Sequence, residues 1–271
     1  MTTVGIATGA GRGMGLACAR RLAAMVDRVL LVDLDEAAVT AAASELADAA
    51  EPFVLDVTDW DGLARLAGRV RELGPLRAVA HAAGISPTMA DWRRVLTVDL
   101  AGTALLAEAL RPLATAGTAM VCFASMAPLL GGTEPSPAVA AVLDDPLGAG
   151  FCDRLREAVG PALEDSGLAY AWAKLGVHRF VRREAIRLGP AGARVCSVSP
   201  GIIDTPQGRQ EAESHPVMAE LVRQTPLGRS GRPEEVAAVV AFLLSAEASF
   251  LTGIDVLIDG GVVAGLAGPP G

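Results

Sequence analysis

Tyr170 and Lys174 stand four residues apart in Tyr170-Ala171-Trp172-Ala173-Lys174, the spacing that brings two side chains onto one face of a helix. An ammonium beside a phenol stabilises the phenolate, which matters because a tyrosine with a pKa of about 10 is a poor base at neutral pH. The pair suits proton transfer, although Tyr170 is equally readable as a core or surface aromatic and the spacing arises easily by chance. Ser125 follows the apolar run 119–123, and Thr205 follows Ser199-Pro200-Gly201 after another. A hydroxyl at such a place either meets a ligand on the rim of a sheet or caps a turn or helix.

A second constellation would hold a dinucleotide. Thr8-Gly9-Ala10-Gly11-Arg12-Gly13-Met14-Gly15 follows an apolar run and opens a helical one, so that backbone stripped of Cβ atoms lets a pyrophosphate approach a helix N-terminus. A plain tight turn has the same composition. Asp33 closes the next β-like run, where a carboxylate accepts both ribose hydroxyls and repels a 2′-phosphate, favouring NAD over NADP. The alternative makes Asp33 or Asp35 a helix N-cap. Arg12 argues the other way, as a guanidinium able to neutralise a 2′-phosphate, unless it is a solvated surface residue. Asp56 is placed to accept from an adenine amino group or to cap the helix that starts near Asp59.

These residues need a scaffold. β-branched runs at 4–8, 28–33, 53–55, 78–81, 118–123, 193–199 and 255–258 alternate with Ala/Leu-rich helical stretches such as 14–25 and 36–47. Such alternation predicts an α/β fold, a doubly wound parallel sheet covered on both faces, with ligands at the carboxyl ends of the strands. The segment 128–167, rich in Gly, Pro and Asp around two short helical patterns, breaks the rhythm.

Composition excludes several classes of partner. The 271 residues, 51% hydrophobic, suffice for one domain with one core. A net charge of -8 without a basic cluster argues against nucleic acid. No apolar stretch is long enough to span a bilayer, and the first residues lack the pattern of a secretory leader, so a cytoplasmic protein without membrane association is expected. Cys18, Cys122, Cys152 and Cys196 are widely spaced and read as reduced thiols, while His81, His178 and His215 show no metal-ligand spacing, so no metal is expected.

Taken together, the glycine turn, Asp33, Asp56, Ser125, Tyr170-x-x-x-Lys174, Pro200-Gly201-Ile202-Ile203-Asp204-Thr205, Gly228-Arg229, Arg232-Pro233-Glu234-Glu235-Val236-Ala237 and the ending Leu251-Thr252-Gly253 through Asp259-Gly260-Gly261 resemble the short-chain dehydrogenase/reductase family. The resemblance runs in order from residue 3 to about residue 262. It implies a Rossmann-type single domain over 1–264, a helical insertion at about 128–167 and a loose tail at 265–271. It further implies a nicotinamide-dependent enzyme interconverting a secondary alcohol and a ketone; Asp33 points to NAD, and the apolar side chains of 128–167 point to an apolar, alicyclic or steroid-like substrate. In that resemblance Tyr170 is the general acid/base, Lys174 lowers its pKa and holds the nicotinamide ribose, and Ser125 hydrogen-bonds the reacting oxygen. Gly9, Gly11, Arg12, Gly13, Met14, Gly15, Asp33, Asp56, Val57, Ala83, Gly84, Pro200, Gly201, Ile203 and Thr205 line the cofactor, and the chain pairs as a homodimer or homotetramer. The alternatives are an NADPH-dependent ketoacyl or carbonyl reductase and a non-catalytic cofactor sensor.

Two positions depart from the family. His81-Ala82-Ala83-Gly84 replaces Asn-Asn-Ala-Gly, losing amide hydrogen bonds between strands. Asp99 stands where the family's helix asparagine supports a water relay to the lysine, so a carboxylate that blunts the effect of Lys174 on Tyr170 is expected there. Relatives join Ser125 to Tyr170 by a short loop, and the extra leucines and valines of 128–167 are expected to roof the substrate pocket, cover a subunit interface or form a small core of their own. The loop 207–225 is expected to contribute to the same pocket.

Overall fold

The computed structural model describes residues 2–214 and 217–266, with the backbone alone described at 211–214 and 217–219. His215 and the part of the tail from residue 267 onward lie outside the described residues. The elements run β1 (Val4–Thr8), α1 (Gly13–Leu22), β2 (Arg28–Asp33), α2 (Glu36–Glu45), β3 (Ala50–Val54), α3 (Trp60–Leu73), β4 (Leu76–His81), α4 (Trp92–Leu96), α5 (Gly102–Leu110) and β5 (Ala119–Phe123). They continue with α6 (Pro137–Leu143), α7 (Phe151–Val159), α8 (Ser166–Leu188), β6 (Arg194–Pro200), α9 (Pro206–Ser214), α10 (Val217–Gln224), α11 (Pro233–Leu244), β7 (Asp255–Ile258) and α12 (Val262–Leu266).

The strands form one seven-stranded sheet in the order β3-β2-β1-β4-β5-β6-β7, every pair parallel. Alternation along each strand feeds both faces. Val4, Ile6, Leu30 and Val32 face the core shared with α3, α5 and α8, whereas Ala7, Val29 and Leu31 face the core under α1, α2 and α11. The strand order reverses between β1 and β4, and there the carboxyl ends open a crevice. This is the Rossmann-type doubly wound sheet expected from the alternation.

Two expectations need correction. β3 starts at Ala50 rather than Phe53, because an edge strand tolerates Pro52, whose missing N–H need not serve a neighbour on both sides. Within 207–225, residues 207–214 belong to α9 and 217–224 form α10, in place of the expected loop. Cys18, Cys122 and Cys196 are buried and all four thiols are free. Among the described residues no helix is long and apolar enough to cross a membrane, and no group of three or more His, Cys, Asp or Glu is placed to hold a metal ion.

The segment 128–167 turns part of its apolar side chains inward and leaves Leu129, Leu130 and Leu147 exposed. Val139, Leu143, Phe151, Leu155 and Leu163 join the core that contains Trp172, Val177 and Phe180 of α8. Asp144, at the C-terminus of α6, accepts from Arg179 at 2.9 Å through each of its oxygens and pairs with Arg183 at 2.9 Å, both on α8. Ser166 donates to Ala90 O at 3.1 Å, and Arg93 reaches Asp153 of α7, fastening the segment to the start of α4 as well.

Candidate active site

The crevice is a cleft of about 510 Å³. Gly9, Arg12, Gly13, Met14, Gly15, Asp33, Asp56, Val57, Ala83, Gly84, Asp99, Ser125, Tyr170, Lys174, Pro200, Gly201, Ile203 and Thr205 all line it. Gly11 does not. Its amide instead donates to Asp33 Oδ2 at 2.8 Å, so it positions that carboxylate.

At one end of the cleft the fit to a dinucleotide is steric as well as chemical. A Cβ on Gly15 would lie 2.0 Å from Gly9 O, so only glycine lets the turn close so tightly on α1. The N-cap residue of α1, Arg12, makes no side-chain cap bond, which leaves the amides of the first turn to a ligand's anionic oxygens. Asp35, not Asp33, caps α2, accepting from Ala38 N at 3.0 Å. Asp35 also pairs with the guanidinium of Arg12. Asp33 is thereby left facing the cleft, steadied by Gly11 N and by Asp35 N at 3.0 Å.

Asp56 is held by Thr58, whose amide and hydroxyl donate to Oδ1 at 2.9 and 2.7 Å, and by Arg94, which donates to Oδ2 at 2.7 Å. Burial works to raise its pKa, but Thr58 and Arg94 outweigh it, and the carboxyl lies below its ordinary value. Arg94 itself lines the cleft, a residue that sequence spacing did not single out because its partner lies on another crossover. Thr205 both caps α9, accepting from Gly208 N at 2.9 Å, and lies against the glycine turn, 3.5 Å from where a Gly13 Cβ would sit.

At the other end α8, capped by Asp165 accepting from Leu168 N at 2.8 Å, presents Tyr170 and Lys174 to the cleft. Lys174 Nζ lies 5.4 Å from the centroid of the Tyr170 ring and donates to Phe123 O at 3.0 Å. Ala127 N donates to Ser125 Oγ at 3.1 Å, so that bond orients the oxygen without using its hydrogen. A phenol, an ammonium and a hydroxyl beside a dinucleotide cleft make a set able to pass a proton and polarise an oxygen.

His81 does not leave the strands untied. Its ring bonds Thr8 Oγ1 at 2.8 Å through Nδ1, directly across the β1–β4 pairing, and Thr103 Oγ1 at 3.0 Å through Nε2. The mouth of the cleft is lined by Ile85, Met89, Gln207 and Gln210, and no residue of 128–167 takes part. The expectation that this segment roofs the pocket is therefore corrected: its leucines and valines are largely spent in the α8 core.

A family model described as enoyl-(acyl carrier protein) reductase matches residues 9–141 and 158–263. The cis-4-hydroxycyclohexanecarboxylate dehydrogenase of Sinomonas cyclohexanicum is 34% identical, covering 96% of each chain. The 3-alpha-(or 20-beta)-hydroxysteroid dehydrogenase of Mycobacterium bovis is 30% identical, covering 97% of this chain and 90% of its own. Among solved structures, a short-chain glucose/ribitol dehydrogenase from Brucella melitensis superposes with a TM-score of 0.76 at 28% identity, covering 96% of each chain. The chain belongs to the short-chain dehydrogenase/reductase family, and is an oxidoreductase that works with a nicotinamide cofactor.

Proposed function

We propose that the protein is an NAD-dependent dehydrogenase that interconverts a secondary alcohol and a ketone on an alicyclic or steroid-like ring, as a cytoplasmic homo-oligomer. The observation that carries the cofactor choice is the division of labour between two aspartates. Asp35 takes up both the α2 cap and the Arg12 guanidinium, so that cation beside the turn is already paired and Asp33 presents its charge to the ribose site. That arrangement accepts ribose hydroxyls and repels a 2′-phosphate; a reading in which Arg12 recruits NADPH requires it to leave Asp35.

Bound NAD supplies the hydride chemistry. Around it, Tyr170 takes the proton of the alcohol hydroxyl during oxidation and returns it during reduction, Ser125 donates to the reacting oxygen, and the Lys174 ammonium favours phenolate. Ring substrates are supported by the names of the two dehydrogenases above and by the apolar Ile85 and Met89 at the mouth. Four free thiols accord with a reducing compartment, and the exposed Phe250, Ile186 and Leu227 accord with subunit contacts. The test is turnover of substituted cyclohexanols and hydroxysteroids with either cofactor. NAD is expected to give at least about a tenfold higher kcat/KM than NADP, the size of effect that about 1.4 kcal/mol of charge repulsion produces. Equal values for the two cofactors overturn the assignment.

A further inference from the structure

Asp99 sits in a π-helical turn, Thr97–Ala101, between α4 and α5, and is 1% exposed. Both its carbonyl and its carboxylate meet buried partners. The carbonyl accepts from Thr103 Oγ1 at 2.8 Å. Because the Thr103 hydroxyl donates there, its oxygen accepts from His81 Nε2–H, and His81 Nδ1 accepts from Thr8, whose oxygen accepts from Ala83 N at 3.0 Å. The ring in this one-way chain is neutral, burial and then the Lys174 charge holding its pKa down to about 3.

The carboxylate is engaged on one oxygen only. Asp99 Oδ1 accepts from Ile85 N at 3.2 Å and lies 3.1 Å from Lys174 Nζ, while Oδ2 is buried without a protein partner. Gly84, which lines the cleft beside them, lies against this contact: a Cβ there would lie 2.4 Å from Asp99 Oδ1 and 3.5 Å from Lys174 Nζ.

We propose that Asp99 is a positioning residue whose carboxylate holds the Lys174 ammonium in place and tempers the field that this ammonium exerts on Tyr170. The proposal rests on the reading of Tyr170 and Lys174 as the proton-transfer pair. The titratable groups acting on Lys174 are Tyr170 of its own helix, Cys122 of β5 and Asp99, and His81 of β4 in turn feels the ammonium. Burial raises the Cys122 thiol and lowers the His81 ring, so both are neutral at pH 7. Asp99 is then the counter-ion and Tyr170 the group that senses the result. Burial works against both members of the pair; it raises Asp99, while for Lys174 it is the largest single influence and is outweighed by Asp99 together with Tyr170 and Cys122, so the ammonium persists above the ordinary lysine value.

The consequence has a definite sign. With Asp99 ionised, the ammonium and carboxylate cancel, and taking a proton from the Tyr170–Lys174 pair leaves a net negative charge in a buried place. With a neutral residue at position 99, the same step starts from a net positive charge and ends neutral, so it occurs at lower pH. Asp99 therefore moves the working range of the pair upward while keeping its lysine charged.

Tyr170 is the only tyrosine among the 271 residues, so the near-ultraviolet absorbance of tyrosinate in the cofactor-free protein reports this group alone. Asp99→Asn, which keeps the shape and removes the charge, is expected to lower the tyrosinate midpoint by about one pH unit or more. Asp99→Ser, neutral and shorter, is expected to shift it in the same direction, and the rising limb of kcat/KM for alcohol oxidation should follow. A midpoint unchanged or raised in either folded variant overturns the proposal. The readout needs no substrate: if the wild type oxidises no alcohol while the midpoint falls as stated, the proposed function fails and the assignment of Asp99 stands.

Discussion

The crossover from β1 through α1 to β2 and the segment 128–167 are both rich in glycine and apolar residues, yet they use them in opposite ways. In the crossover the apolar residues of the strands are buried and the chemistry is left at the strand ends, where Gly9, Gly13, Gly15 and Asp33 line the cleft. In 128–167 the buried apolar residues pack into the core of α8 and no residue lines the cleft, so the segment braces the helix that carries Tyr170 and Lys174. Proximity in sequence to Ser125 and Tyr170 is not the same as contact with what they bind. What decides is the direction in which a segment buries its apolar face.

Gly15→Ala should separate the two regions most sharply. The added Cβ meets the backbone of Gly9 and Thr8, at 2.0 and 2.7 Å from their oxygens, and neither is the end of a flexible side chain. Strain of about 3 kcal/mol is worth roughly a hundredfold in Kd, so NAD affinity measured by fluorescence quenching should fall by about that factor. An unchanged Kd would mean that the turn does not carry the cofactor. Asp144→Ala makes the smaller change, in the other region. Losing the bonds to Arg179 and Arg183 should cost about 1–3 kcal/mol of stability in chemical denaturation while leaving the KM for NAD unaltered. Burial works to raise the Asp144 carboxyl, but the two arginines outweigh it and hold it below its ordinary value. For a folded pKa so depressed, the stabilisation is fully present above the unfolded carboxylate value of about 4 and is lost as the pH falls through the folded one. The stability gap between wild type and Asp144→Ala should therefore close on acidification. A gap that is constant with pH would remove the ion pair from the account.

Most of the scaffold is legible in the sequence because periodicity records burial. β1, β2 and β7 begin and end at the residues that the apolar runs delimit. β3 is less legible, since Glu51 and Pro52 hide the start of a strand that only its edge position permits. The helix α9 is obscured by Gly208 and a polar composition, and α10 by being only 8 residues long. Within the site, residues lying just after a strand are readable one by one, whereas contacts between distant crossovers are not. The pairing of Arg94 with Asp56, the capture of Arg12 by Asp35 and the link of Asp99 to Lys174 each join side chains whose spacing carries no period. His81 is the instructive case: the substitution predicts lost hydrogen bonds, and the fold recovers them through a ring long enough to reach both Thr8 and Thr103.

The central claim is that one phenol moves the proton in an alcohol dehydrogenase. Tyr170→Phe tests it most directly, because it deletes a single oxygen on α8 and leaves the glycine turn and Asp33 untouched. Steady-state oxidation of a cyclic secondary alcohol with saturating NAD should lose at least about a hundredfold in kcat, the lower end of what general acid–base catalysis contributes, with the NAD Kd essentially unchanged. Retention of kcat within about tenfold of the wild type would assign the proton to another group and contradict the account.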